Sequence, residues 1–208
     1  HTSFYTLSLH DALPISKAVP IALAVVFGLC AVAMIGIMVY FSCIDTKTDL
    51  GSFERIIRFN DIWGTHRGFM WIRSIWIFGD ASFIEKLFGV GPDMFYSAFS
   101  PYFDDLSKYG DSSTNAAHNE YLNYLITIGI TGLLSYLAIV CGTIKNAVKY
   151  AKENPMLIAC VSAVICYAVQ SVVNLYQPIT TPLFFIFIAL CEAFVRNAKA
   201  EKSAVSAV

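Results

Sequence analysis

Charged side chains are scarce in this sequence. They make up 14% of its 208 residues, whereas 57% of the residues are hydrophobic. Soluble domains are typically about a quarter charged, and the apolar residues here stand in long runs instead of at the spacing of one helix or strand face. The formal net charge is −1, so the composition does not indicate a nucleic-acid-binding surface. These properties favour a polytopic membrane protein.

Common metal and disulfide motifs are also missing. The six cysteines form no Cys-x-x-Cys pair and lie in or beside apolar runs, which indicates packing rather than a disulfide framework or a metal site. Asp104 and Asp105 are adjacent, but there is no spaced Asp-x-Asp pair of the kind that holds a metal and a nucleotide sugar. We therefore expect neither a metal nor another cofactor.

The first residues differ from the rest of the sequence. Residues 1–16 (HTSFYTLSLHDALPIS) have no initiating Met, no periodicity and no signal-peptide layout. They look like translated adaptor sequence joined to a truncated reading frame. We therefore expect residues 1–16 to be a non-native leader, and we expect several helices to precede this chain in the complete protein.

Four apolar runs are candidates for membrane-spanning helices, because about 20 apolar residues at roughly 1.5 Å each cross the hydrocarbon core. The predicted spans are residues 17–43, 120–144, 156–176 and 177–195. In the last and shortest run, Glu192 lies one turn from Arg196 near the interface, where a charge costs less than at mid-bilayer. The sequence therefore predicts an all-α, polytopic bundle with four transmembrane helices in this chain.

The lysines and arginines predict the orientation of these spans. They are concentrated in the loop 145–155 and the tail 196–208, and Lys17 precedes the first run. Because basic residues favour the cytoplasmic side, residues 44–119 would form one large extracytoplasmic loop.

Residues 65–78 in this loop have an aromatic, helical pattern that is typical of a membrane interface. On a helix, Arg67 would share a face with Trp71 and Ser74, and Arg73 would point elsewhere. An arginine at this depth suits a phosphate, because its guanidinium donates two parallel hydrogen bonds. Snorkelling to lipid headgroups is the alternative, and these residues alone favour it.

The loop ends in Asn115-Ala-Ala-His118-Asn119-Glu120, the most informative stretch of the sequence. We expect Thr114 or Asn115 to cap the following helix and to place His118 in its first turn. The helix N-terminus would attract anions and disfavour the imidazolium form. A neutral His with an ordinary pKa near about 6.5 can act as a general base. The alternative is a polar histidine that only marks the helix start, which the spacing alone favours.

Four segments together resemble one family. In chain order they are Arg67-x3-Trp71, Leu87-Phe-Gly-Val-Gly-Pro-Asp-Met-Phe95, His118-Asn-Glu-Tyr-Leu122 and Gly129-Ile-Thr-Gly132-Leu-Leu. Their order and spacing, over roughly residues 67–134, resemble the O-antigen ligase and polymerase family of integral membrane glycosyltransferases. Within the second segment, Gly89-Val-Gly91-Pro92 loosely resembles a phosphate loop, but it lacks the Gly-Lys-Ser/Thr ending, so a tight turn is favoured.

The resemblance implies a chemistry and a place. A glycan would pass from a polyprenyl diphosphate carrier to a lipid or glycan acceptor, outside the bacterial inner membrane and without metal. His118 would be the general base, Arg67 and more weakly Arg73 would bind the diphosphate, and Asn119 would assist substrate binding through hydrogen bonds. Family arginines upstream, and about eight helices, would be absent from this chain.

Two other classes stay open. A transporter or flippase of lipid-linked glycans would predict charges or broken helices near mid-bilayer, and the sequence indicates none. A non-catalytic membrane scaffold would give His118 and Arg67 no functional role. Within the enzyme class, no residue distinguishes a ligase from a polymerase, because the acceptor decides that difference.

The predicted orientation can be tested by labelling. In a background without native cysteines, Ser52→Cys and Ser107→Cys should react with a membrane-impermeant thiol reagent in intact cells, because both positions lie in the predicted outer loop. Ala151→Cys should stay unlabelled until the membrane is opened. Labelling of Ala151→Cys alone would reverse the orientation.

Overall fold

The computed structural model describes residues 18–205, and this part of the chain is helical without strands. The all-α class is therefore confirmed. The predicted leader 1–16 and Lys17 lie outside the described residues. The chain divides into two compact units between Trp63 and Gly64.

The first unit is organised around Arg58. It contains α1 (Ala18–Val39), a π-helical extension (Tyr40–Ile44) and the short α2 (Glu54–Ile57). The Arg58 guanidinium donates hydrogen bonds to the backbone carbonyls of Phe41 (3.1 Å) and Thr48 (2.7 Å) and to the Glu54 carboxylate (3.0 Å). Carbonyls in the last turn of a helix have no partner within it, so Arg58 stabilises the end of the first apolar helix.

The second unit contains the other helices. They are α3 (Trp63–Asp80), α4 (Phe83–Phe88), α5 (Phe95–Phe99), α6 (Phe103–Ser107), α7 (Glu120–Thr127), α8 (Gly129–Tyr150), α9 (Met156–Gln170) and α10 (Thr180–Val205). The three long helices α8, α9 and α10 pack on one another around buried aliphatic and aromatic side chains. Together they form a helical scaffold that holds the segments before it.

The part of the long loop that lies in this unit has a core of its own. Phe69 of α3 and Phe95 and Phe99 of α5 are almost fully buried, together with Leu106 of α6. The Phe95 and Phe99 rings stack at 5.4 Å between centroids, and Phe69 meets Phe99 edge-on at 6.2 Å. Such offset and edge-on pairs add to the stabilisation from burial. The loop is therefore a folded layer and not a flexible linker.

Two described helices are long and apolar enough to cross a membrane. They are Val25–Ile44 and Gly129–Tyr150, whereas Met156–Gln170 is apolar but shorter. The fourth predicted span, 177–195, overlaps α10, which begins at Thr180 and continues to Val205 instead of ending at residue 195. The four-span bundle and its boundaries stay a prediction.

The second apolar run, 120–144, is not one helix. It is divided between α7 and α8, with Ile128 at φ −124° and Gly129 at φ +70°. Glycine adopts this left-handed conformation without a steric penalty because it has no Cβ. The second predicted span is therefore interrupted by a helix break at Ile128 and Gly129.

The glycine turn of residues 89–91 caps this break. The last carbonyls of a helix lack intrahelical partners, and two of them are bonded here from outside. The Val90 N–H donates to the Ile126 carbonyl and the Gly91 N–H donates to the Thr127 carbonyl, both at 3.0 Å. Because these amides are already bonded, they do not form an anion-binding loop, and the turn interpretation is confirmed.

Two glycines allow the backbones to approach this closely. A Cβ on Gly129 would lie 2.4 Å from the Leu87 carbonyl oxygen, and a Cβ on Gly89 would lie 2.3 Å from the Thr127 carbonyl. Both glycines also have positive φ. The Thr131 hydroxyl adds a 2.7 Å hydrogen bond to the Leu87 carbonyl. Larger residues at either glycine would force the turn and the break apart.

Gly129→Ala should therefore destabilise the protein. We expect a loss of at least about 1–3 kcal/mol in the free energy of unfolding, from left-handed strain alone, and a lower apparent Tm in detergent. Gly142→Ala is the matched control on the same helix, since nothing lies within 4 Å of its added Cβ. Alanine there should be neutral or stabilising. Equal Tm values for the two variants would contradict the close-approach explanation.

Candidate active site

A cavity of about 800 Å³ lies between α3 and the end of the long loop. Its polar lining comprises Thr65, Arg67, Tyr96, Asp111, Ser113, Thr114, Asn115 and His118. Two residues singled out from the sequence, Arg67 and His118, thus line the same cavity, although α3 and the start of α7 are far apart in the chain. Within residues 18–205, no three His, Cys, Asp or Glu side chains are grouped as a metal site.

An unusual stretch of backbone places Arg67. Gly64, Thr65 and His66 have successive positive φ values of 57°, 61° and 66° directly before it. A β-branched residue in this region is a rare and strained arrangement. The His66 ring is held against Tyr109, with the centroids 4.9 Å apart. This turn interrupts α3 after Trp63 and redirects the chain into the regular part of the helix, so that Arg67 lies in the cavity wall.

The helix after His118 begins at Glu120, two residues after His118, and is capped by Asn119. The Asn119 side-chain oxygen accepts a 3.0 Å hydrogen bond from the Leu122 N–H, and its backbone is extended, as is typical of an N-cap. The expectation that Thr114 or Asn115 caps the helix was wrong. His118 therefore lies before the first turn, with φ +50°, and not within it.

Burial and a neighbouring charge keep His118 neutral. Desolvation lowers the pKa of His118 below its ordinary value, and the positive charge of Arg67 lowers this pKa further. Asp111 acts in the opposite direction. Both lowering effects disfavour the imidazolium. The half-buried ring is therefore available as a proton acceptor at neutral pH.

Arg73 lies outside the cavity lining. Its guanidinium carbon stands 4.2 Å from the ring centroid of Phe69 and 4.7 Å from that of Trp76. These are cation–π contacts, which stabilise an arginine against aromatic faces. Asn119 is buried and also outside the lining, with its side-chain oxygen engaged in the cap. Substrate binding by Arg73 and Asn119 stays a prediction.

Glu120 is a structural centre that the sequence interpretation missed. Its side chain is only 1% exposed. The carboxylate accepts hydrogen bonds from the hydroxyls of Tyr124 (2.8 Å), Ser171 (2.8 Å) and Tyr167 (3.1 Å). A buried carboxylate is tolerated only when it is hydrogen-bonded in this way. The local signal was Tyr124 one turn after Glu120 in an apolar run, but the other two partners are 47 and 51 residues away.

The network around Glu120 extends to the start of α10. The Tyr167 and Thr181 hydroxyls are 2.6 Å apart, and the Gln177 N–H donates to the Thr181 hydroxyl oxygen at 3.0 Å. The Glu120 N–H also donates to the Ser171 carbonyl at 2.9 Å. The α9–α10 connection is thereby fixed to the start of α7, two residues from His118.

Removal of the Arg67 charge should change the titration of His118. Because Arg67 lowers the pKa of His118, Arg67→Gln should move this pKa upward, towards but not beyond its ordinary value, since burial persists. The measurement is the pH dependence of His118 acylation by diethylpyrocarbonate, resolved by peptide mass spectrometry. Arg73→Gln loses the same charge outside the cavity and should leave the profile in place. A downward shift in Arg67→Gln would contradict the electrostatic assignment.

One known protein family matches more than half of this chain. Residues 11–137 match the family described as O-antigen ligase. The match starts within residues 1–16, which the sequence predicts to be a leader, and ends within α8, so it includes the cavity, the glycine turn and the capped break. No curated protein and no solved structure gives a match. Since the family match covers more than half of the sequence, this chain belongs to the O-antigen ligase family.

Proposed function

We propose that the Arg67–His118 cavity is the site where a membrane glycosyltransferase moves a glycan from a polyprenyl diphosphate carrier to an acceptor hydroxyl. Membership of the O-antigen ligase family makes glycan transfer at a membrane the general activity. The assignment of donor and acceptor roles rests on one observation: the Arg67 guanidinium and the half-buried His118 ring line the same cavity.

Arg67 would act on the leaving group. A lipid diphosphate needs neutralisation of its charge more than it needs a proton, because it is already a good leaving group. Arginine can donate two parallel hydrogen bonds to a phosphate, and a fixed positive charge stabilises the negative charge that develops there. The strained turn of residues 64–66 fixes the start of α3 for this purpose.

His118 would act on the acceptor. A sugar hydroxyl is weakly nucleophilic until a base removes its proton. As the acceptor oxygen forms its bond to the anomeric carbon, the bond from that carbon to the diphosphate oxygen breaks and the hydroxyl proton moves to the imidazole. Direct attack would invert the anomeric configuration. Burial and Arg67 keep the imidazole unprotonated before this step.

The proposed place is the outer face of the bacterial inner membrane. The polyprenyl tail of the donor holds its diphosphate at headgroup depth. Basic residues in 145–155 and 196–208 favour a cytoplasmic location for these segments, which leaves the cavity on the opposite side. No residue selects between a lipid and a glycan acceptor.

A transporter is a weaker candidate. The broken helix α7–α8 is a feature that transporters use to coordinate ions through free carbonyls. Here the Ile126 and Thr127 carbonyls are already bonded by the Val90 and Gly91 amides. A non-catalytic scaffold is also a weaker candidate, because that function would not explain the Arg67–His118 cavity.

Substitutions in the complete protein should separate the two roles. His118→Asn should lower transfer about 10²–10⁴-fold, the usual range for a general base. Asn tolerates the left-handed backbone of His118 better than Ala, so this loss reports chemistry rather than refolding. Arg67→Ala should lower transfer strongly, and Arg67→Lys should recover only part of it, because lysine offers a point charge without the fork.

Arg73→Ala is the control, since its guanidinium contacts aromatic rings outside the cavity. It should affect transfer less than Arg67→Ala does. The assay is glycan transfer in membranes with the lipid-linked donor titrated. Near-normal transfer by His118→Asn protein, or equal small effects of the two arginine variants, would refute the assignment. A defect in Arg67→Ala that excess donor overcomes would indicate ground-state binding only.

A further inference from the structure

A second cavity, of about 390 Å³, adjoins the first one. Asn115 lines both of them. The second cavity lies where the turn after Gly91, the α7–α8 break and the start of α10 come together, and its lining includes Asp93, Asn123 and Tyr176. Its volume is within the range of about 300–1,000 Å³ that is typical of small-ligand sites.

The chemistry of this lining differs from that of the first cavity. Its polar groups include one carboxylate and two side-chain amides, from Asp93, Asn115 and Asn123, besides threonine and tyrosine hydroxyls, and its described lining contains no lysine or arginine. A diphosphate would therefore find no counter-charge here. Aromatic rings of Tyr124 and Tyr176 supply flat apolar surface beside the polar groups. Carboxylates and amides next to aromatic rings suit a neutral ligand with many hydroxyls, because they accept and donate hydrogen bonds at the edges of a ring whose face is apolar.

Several of these groups have free hydrogen-bonding capacity. Within the described residues, the side chains of Asp93, Asn115 and Tyr176 make no hydrogen bond. The Asn123 side-chain oxygen accepts from the Ala117 N–H at 3.4 Å, which leaves its amide nitrogen for a ligand. The Tyr124 hydroxyl, by contrast, is taken by Glu120. The Glu120 network thus holds the Tyr124 side of the second cavity in place. The other polar groups of the lining stay available for hydrogen bonds to a ligand.

We propose that the second cavity binds a sugar residue of the acceptor, with Asp93, Asn115 and Asn123 bonded to its hydroxyls and the Tyr176 ring against its apolar face. This inference rests on the proposed function. The connection through Asn115 assigns the sugar to the acceptor, because Asn115 and His118 belong to one short segment and the acceptor hydroxyl must reach His118. Arg67, the proposed partner of the donor diphosphate, and His118 both line the first cavity and not the second, so a sugar in the second cavity would extend past Asn115 from the hydroxyl that reacts at His118.

The test compares the KM values of the two substrates in the complete protein. Asp93→Asn removes the charge and preserves the left-handed backbone at φ +63°, which Asn tolerates. Tyr176→Leu removes the aromatic ring and should also raise the acceptor KM. Asp93→Asn should raise the acceptor KM roughly tenfold, the effect of a lost charged hydrogen bond, and leave the donor KM unchanged. Asp104→Asn, an exposed carboxylate outside both cavities, is the matched control and should leave both KM values unchanged.

A binding experiment separates this inference from the proposed function. The probes are oligosaccharides released by mild acid from the surface polysaccharide of the source bacterium, and binding to complete His118→Asn protein is measured by saturation-transfer NMR. Binding should persist in this variant and weaken in the double variant with Asp93→Asn. Transfer by His118→Asn protein would refute the base and leave the binding result valid. An unchanged acceptor KM in both Asp93→Asn and Tyr176→Leu, a rise in donor KM instead, or equal binding in the single and double variants would overturn the subsite.

Discussion

The contact between the glycine turn and the α7–α8 break is the constraint on which the rest of the second unit depends. The aromatic loop core and the long-helix scaffold are separate layers, and they meet where the amides of residues 90 and 91 bond the last carbonyls of α7. Only residues without a Cβ permit this approach on both sides. Since α7 begins directly after Asn119, the position of the break also determines where His118 lies relative to α3.

The buried carboxylate of Glu120 fixes the other end of α7. Its hydroxyl partners come from α7 itself and from the end of α9, and the network continues to α10. A carboxylate at a helix N-terminus is favoured by the helix dipole, and its full set of hydrogen bonds offsets the cost of burial. An eight-residue helix is thus held at both ends by polar contacts, and each of the two cavities lies beside one of these ends.

Local patterns in the sequence predicted the helices and the polar residues that begin them, but not the contacts between distant segments. The apolar runs predicted the helical class, and the resemblance led to Arg67 and His118. The helix break at Gly129 could not be predicted, because the apolar run of residues 120–144 is uninterrupted in sequence and gives no information on the backbone φ of Gly129. The role of Glu120 could not be predicted, because its hydrogen-bond partners Tyr167 and Ser171 lie in a different apolar run of the sequence. The cap was misplaced because Thr114, Asn115 and Asn119 are all residue types that commonly cap helices, and only the folded backbone selects Asn119.

The close approach of Gly89 and Gly129 determines how the candidate site comes apart when the protein partly unfolds. If the turn of residues 89–91 moves away, two helix-end carbonyls lose their donors at the same moment, and the close glycine packing is lost with them. A partial separation of the turn from the break therefore loses these contacts without forming new ones. The fluctuation that opens this region is for that reason cooperative rather than gradual. The site is accordingly either assembled or absent. Membrane conditions that destabilise it would reduce the fraction of competent molecules without changing the turnover of those that remain.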